Sequence, residues 1–154
     1  MKKIILVLLV LCFSLSSHAQ EKTMSELFKA MPDSILPYLS ENNRLDMIDF
    51  MEAKMKAEVT NLLDGKSEMT ALTHDSLSIT MNDVLTIDMH LMEMPEPVDS
   101  SNVVVYVRRT YGVDERQSQV VLDIYSAVWR RLSSTVLSST LLRRDEDLPQ
   151  HYTP

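Results

Sequence analysis

The spacing of apolar positions changes once along the chain, and that change divides it. In "TMSELFKAM", Leu27, Phe28 and Met31 recur at helical intervals behind Thr23 and Glu26, a capping-box pair, and predict a short helix that Pro32 ends. "DSILPYLS" predicts a second, irregular helical turn. Asn43 then stands as the N-cap of the longest helical stretch, roughly 44–63, with Leu45, Ile48, Met51, Met55, Val59, Leu62 and Leu63 on one side. Asp64-Gly65 closes it, Gly65 being the natural residue for a left-handed C-cap.

After Gly65 the period falls to two. Leu77, Ile79 and Met81 alternate with Ser78, Thr80 and Asn82; past the turn residues Asn82-Asp83, Leu85, Ile87, Met89 and Leu91 alternate with Thr86, Asp88, His90 and Met92. "EMTALT" ahead of them offers a further short strand, and "PEPVDSSN" reads as a loop. Two more strands are predicted over about 102–111 and 119–127, joined by a polar turn at 112–118. Val103, Val105 and Val107 are expected to share a face with Val120, Leu122 and Ile124. Val104, Tyr106, Val121 and Tyr125 then fall on the other face, with Trp129 just beyond. "STVLSSTLL" supplies a last edge strand or a covering segment. The expected fold class is α+β: N-terminal helices (20–66) packed on an antiparallel meander sheet of four to six strands (67–142), with a frayed tail over 143–154.

The first nineteen residues change where this domain is expected to work. Lys2 and Lys3, an apolar run from Ile4 to Leu11 and the small residues Ser17 and Ala19 make a secretory signal peptide over 1–19, and that run is far shorter than the roughly 20 residues a membrane span needs. The expected product is one exported domain, 20–154, with no transmembrane anchor after signal cleavage. Cys12 lies in the leader behind the bulky Leu11, which argues against a lipid anchor. The remaining chain holds no cysteine, so disulfides, thiolate nucleophiles and Cys-ligated zinc are excluded.

Charge is uneven: residues 21–97 carry 15 acidic and 6 basic side chains, whereas 98–154 carry 7 of each. An acidic N-terminal half speaks against nucleic acid and against a polybasic membrane-surface role. With only Gly65 and Gly112, the chain cannot build a phosphate-cradling loop, a dinucleotide fingerprint or a nucleophile elbow. "MPDSILPYL", "NNRLDMIDFMEAKMKAEVTNLLDGKSEMTAL", "VRRTYG" and "LDIYSAVWRRL" resemble a family of exported Bacteroidetes proteins carrying a domain of unknown function, over most of the exported chain. The resemblance implies a periplasmic or cell-envelope location in a Gram-negative cell. It implies no activity and no site residue.

Few residues remain as candidates for chemistry. Asp46 and Asp49 lie one helical turn apart but read as a solvated acidic face, as does Asp145-Glu146-Asp147; His74-Asp75 falls in a predicted turn. "DMHLMEM" offers thioether and imidazole ligands suited to Cu(I) in His90, Met92 and Met94. Strand alternation sends Met89 to the core and spaces the other three by about 7 Å, so they converge only if the strand bends before Pro95. Tyr106, Tyr125 and Trp129, rimmed by Arg108, form the candidate partner-binding surface, since interfaces favour aromatics with arginine. A free sheet edge offers a second mode, and the doublets Arg108-Arg109, Arg130-Arg131 and Arg143-Arg144 supply rim charges or pair with the acidic half. The expected function is non-enzymatic binding or scaffolding of an envelope protein or peptide, without cofactor; the alternative is a soft-metal protein using His90, Met92 and Met94.

Overall fold

A computed structural model describes residues 22–112 and 118–138. The predicted leader, the tail with Arg143-Arg144 and the acidic triplet, and residues 113–117 of the predicted turn lie outside the described residues. Among the described residues, seven strands form one antiparallel sheet in which every strand pairs with its neighbour in sequence: β1 Ala57–Thr60, β2 Lys66–Leu72, β3 Ser76–Asn82, β4 Leu85–Val98, β5 Ser101–Tyr111, β6 Gln119–Ser126 and β7 Arg131–Ser138. Helices α1 (Met24–Lys29) and α2 (Glu41–Glu52) are short, 6 and 12 residues. The α+β expectation with four to six strands is therefore corrected to a mainly β fold.

The correction has a local cause. The predicted helix over 44–63 breaks in two: α2 starts one turn earlier, on a capping box between Ser40 and Asn43, and ends at Ala53. Lys54 then turns left-handed (φ 57°). Ala57 and Val59 point inward and Glu58 and Thr60 outward, a period of two that the helical stripe had absorbed. Glu58 bridges Lys56 and Lys66, and β1 pairs with β2 through Ala57↔Met69 and Val59↔Ser67. Gly65 closes a β-turn rather than a helix. Asn61 Oδ1 accepts from the N–H groups of Leu63 and Gly65, while Asp64 takes the left-handed conformation (φ 60°).

Two other elements differ from expectation. The "PEPVDSSN" loop shrinks to Asp99-Ser100, because β4 continues to Val98. Both residues have positive φ (49° and 65°), as a two-residue type I′ hairpin demands. Pro95 and Pro97 fall where the β4–β5 register shifts, between Glu93 and Val98, where a missing N–H interrupts no regular ladder. The β5–β6 register is also one residue from the expected one: Val105 faces Tyr125, Val107 faces Asp123 and Arg109 faces Val121. A one-residue slip exchanges the two faces of a strand, and "QVVLDIYS" is apolar on both sides, so alternation alone does not fix it.

Both helices pack on the sheet face that carries Leu77, Ile79, Ile87, Met89, Val105, Val107 and Tyr125. Met24, Phe28, Met47 and Ile48 are sealed in this layer, each worth about 1.5–3 kcal/mol of apolar burial. The connection from α1 to α2 is pinned from two sides by arginines. Arg44, 2% exposed, donates to Met31 O (2.7 Å) and Leu39 O (2.9 Å) and pairs with Asp33 (2.6 Å). From the sheet, Arg109 Nη2 donates to Ile35 O (3.2 Å).

Candidate functional site

The register divides the expected aromatic surface. Tyr125 and Trp129 lie in the helix-covered core, 6% and 8% exposed, with ring centroids 5.7 Å apart and the Trp129 indole N–H donating to Leu27 O on α1 (3.0 Å). Tyr106 sits on the opposite face, between His90 of β4 and Ile124 of β6, and Arg108 lies between Asp88 and Leu122 on that same face. Half-burial raises the Tyr106 phenol above its ordinary pKa, and the Arg108 charge opposes the shift. The four residues do not form one surface.

β4 settles the geometry of the methionine cluster. It remains paired with β5 through Met92↔Val104 and Glu93↔Val103, so the strand is extended at Met92. His90, Met92 and Met94 occupy alternate positions of β4, at about 7 Å spacing where the strand is regular, and Met94 lies past Glu93, after which the β4–β5 register shifts. Asp46 and Asp49 are exposed on α2, and His74-Asp75 lies in the β2–β3 turn, where His74 O accepts from Met24 N–H and Asp75 accepts from the Thr73 hydroxyl. That hydroxyl holds the Asp75 carboxyl below its ordinary pKa.

A cleft of about 320 Å³ opens instead on the core face, between the Ser34–Tyr38 segment of the α1–α2 connection and the sheet. Its floor is built by Leu85 and Ile87 of β4, Arg109 and Tyr111 of β5, and Val121, Asp123 and Tyr125 of β6, with Arg131 of β7 at the side. Arg109 and Asp123 form an ion pair with side chains only 12% and 5% exposed. The pair uses Asp123 Oδ2, and the buried Oδ1 has no hydrogen-bond partner, an omission that ordinarily costs about 1–3 kcal/mol. Among the described residues no carboxylate pairs with Arg131.

Around one mouth of this cleft stands an apolar rim. In a meander the β1–β2, β3–β4 and β5–β6 turns share one end of the sheet. At that end Leu62 and Leu63 (62% and 63% exposed) cap the first turn and Val84 (49%) the second. Tyr38 and Tyr111, which line the cleft, are about two-fifths exposed. They join the rim through Leu62 N–H to Tyr38 O (2.9 Å) and Gly112 N–H to Val84 O (2.8 Å). Asp64 and Asp83 stand in the same turns. Turn tips are ordinarily polar, and Leu62, Leu63 and Val84 leave apolar side chains exposed there.

Of these residues, Tyr125, Arg109 and Arg131 stood out in the sequence, Leu62 and Leu63 only as part of a helical stripe, and Tyr38, Val84, Tyr111 and Asp123 not at all. The signal was present in "NLLDG" and "NDVL": Asn, Asp and Gly mark turns in both, and the leucines and valine within them have no core to reach. Reading residues 57–60 as a strand would have placed Leu62 and Leu63 at its tip. Asp123 is buried on the inward face of β6 beside its partner Arg109.

No curated protein matches the chain. A solved structure of a domain of an uncharacterized protein from Porphyromonas gingivalis has a similar fold, with a TM-score of 0.57 and 22% identity, over 71% of this chain and 53% of that one. This chain thus spans about half the length of that structure. A family model described as "Protein of unknown function (DUF3256)" matches residues 14–149, and the chain belongs to that family.

Proposed function

We propose that this is an exported, non-enzymatic binding or scaffolding domain of the periplasm or cell envelope, which receives a protein or peptide partner on the apolar rim formed by Leu62, Leu63, Val84, Tyr38 and Tyr111. The carrying observation is the exposure of Leu62, Leu63 and Val84 at adjacent turn tips of one sheet end. Apolar and aromatic groups clustered on an otherwise acidic domain are what a partner's interface core would cover, and Asp64 and Asp83 suit a partner with a basic rim. The leader pattern and the resemblance to exported Bacteroidetes proteins support the location.

A photo-crosslinking residue at Leu63 in producing cells tests the reading. A discrete crosslinked partner is expected in the envelope fraction, and adding Leu62→Lys and Val84→Lys to the probe-bearing chain should abolish it while keeping wild-type circular dichroism. Unchanged crosslinking in that variant would sink the proposal. Recovery of the chain only from the cytoplasm would remove its envelope location.

A further inference from the structure

We infer that the cleft between the Ser34–Tyr38 segment and the sheet binds a small carboxylic acid as its anion, with the carboxylate at Arg131 and Tyr125 and an apolar body lying toward Tyr111. The strand register orders the wall. Tyr125 and Arg131 are direct cross-strand partners at one end, and Leu85 and Tyr111 are direct partners at the other, with Ile87, Arg109 and Val121 in one row between them. From Val121 to Tyr125 the floor runs about 13 Å along β6. The cleft is therefore polar at one end and apolar at the other.

The polar end holds two groups that the fold does not use. Tyr125 is only 6% exposed, yet its hydroxyl makes no hydrogen bond among the described residues and is not sealed off as Asp123 Oδ1 is. Because Tyr125 lines the cleft, that hydroxyl is a donor fixed in its wall. Arg131 beside it has neither a hydrogen bond nor an ion pair among the described residues. An unpaired donor next to an unpaired guanidinium calls for an acceptor, and a carboxylate meets the arginine fork with both oxygens.

Charge sets the ligand's sign and number. Arg109 and Asp123 cancel through their ion pair, so the charge left facing the cleft is the single positive one of Arg131. A cation is repelled there, and a dianion is only half neutralised. Asp64 and Asp83 stand in the turns at the opposite end, which turns the carboxylate toward Arg131 and the apolar body toward Leu85, Val121 and Tyr111. The volume of about 320 Å³ lies at the lower end of small-ligand sites, which run from about 300 to 1,000 Å³, so that body is small. This site does not depend on the partner rim: it rests on Tyr125 and Arg131, not on the turn tips.

The test is an NMR titration of the full chain with hexanoate and phenylacetate, beside hexanol, hexylammonium, acetate and inorganic phosphate. At least one of the two acids should give saturable shifts at the amides of Ile87, Val121 and Tyr125, and the other four probes should bind more weakly. Arg131→Gln, at an exposed position, should weaken acid binding about tenfold, equivalent to roughly 1.4 kcal/mol. Tyr125→Phe should weaken it severalfold and leave the urea midpoint unchanged, because the hydroxyl it removes bonds nothing in the fold. The rim variant Leu62→Ser, Leu63→Ser, Val84→Ser should bind the acid normally. The inference is overturned if neither acid saturates, if any of the four other probes binds as tightly as the acids, or if either Arg131→Gln or Tyr125→Phe binds them as wild type does.

Discussion

Arg109 of β5 pairs with Asp123 of β6 along a diagonal of the sheet, beside the direct partners Val107↔Asp123 and Arg109↔Val121. Removing one member strands the other's charge in a nearly dry wall. Asp123→Ala should cost about 3–5 kcal/mol, whereas replacing both, Arg109→Met with Asp123→Leu, should cost much less despite the lost bond to Ile35 O. Urea unfolding of the singles and the double variant measures the difference; a double-variant loss equal to the sum of the two single losses would show that the two charges do not act as a pair.

Arg44 should tolerate change less than its ion pair suggests. Its carboxylate partner Asp33 is 66% exposed, but its other contacts are the Met31 and Leu39 carbonyls at the two ends of the connection. Asp33→Asn should therefore cost at most about 1 kcal/mol, in the range of exposed ion pairs. Arg44→Met, which leaves two buried carbonyls without donors, should cost about 2–5 kcal/mol in the same unfolding assay.

Ser100 pays a conformational cost that glycine would not. Its φ of 65° lies in the left-handed region, at the second central position of the β4–β5 turn, where glycine is the favoured residue. Ser100→Gly should raise stability by roughly 0.5–1 kcal/mol, seen as a higher midpoint in thermal unfolding. A lower midpoint would mean that the serine side chain supports the turn.

Acid should weaken the fold through three carboxylates. The Arg130 guanidinium, with help from the Ser126 hydroxyl, lowers the Asp99 pKa; Lys56 and Lys66 lower that of Glu58; and the Thr73 hydroxyl lowers that of Asp75. Each therefore binds its proton less readily folded than unfolded. The stability they add is complete above their ordinary values, 3.8 for aspartate and 4.5 for glutamate, and is lost as pH falls through the lower folded values. Asp99→Asn should flatten the acid limb of a stability profile and leave the limb above pH 6 parallel to wild type.

The parts of this fold readable in advance were those with one apolar face. β3 and the start of β4 alternate cleanly, and Leu77, Ile79, Ile87 and Met89 are buried as the period of two requires. The α1 capping box was legible because Thr23 and Glu26 each serve the other's backbone. What escaped was set by partners distant in sequence. Residues 57–60 fit a helix stripe and a strand equally, and only pairing with β2 decides between them. β6 has apolar residues on both faces, so its register waits on Arg109 claiming Asp123 and on Trp129 reaching Leu27. The candidate site was hidden for the same reason: its tyrosines, arginines and aspartate come from four separate segments, and no spacing connects them.

The bond from the Trp129 indole to Leu27 O spans 102 residues, and that from Lys22 Nζ to Ala127 O spans 105, in a sheet whose strands otherwise pair only with their sequence neighbours. Such a meander can zip from hairpin to hairpin with small loop-closure cost, so its early contacts are short-range. The clasp between α1 and the β6–β7 turn must wait until both ends of the chain exist. Trp129→Phe, which keeps the ring and removes the donor, should accordingly speed unfolding and leave the refolding rate nearly unchanged. Unchanged refolding in that variant would make the first helix a latch, closed on a sheet already assembled.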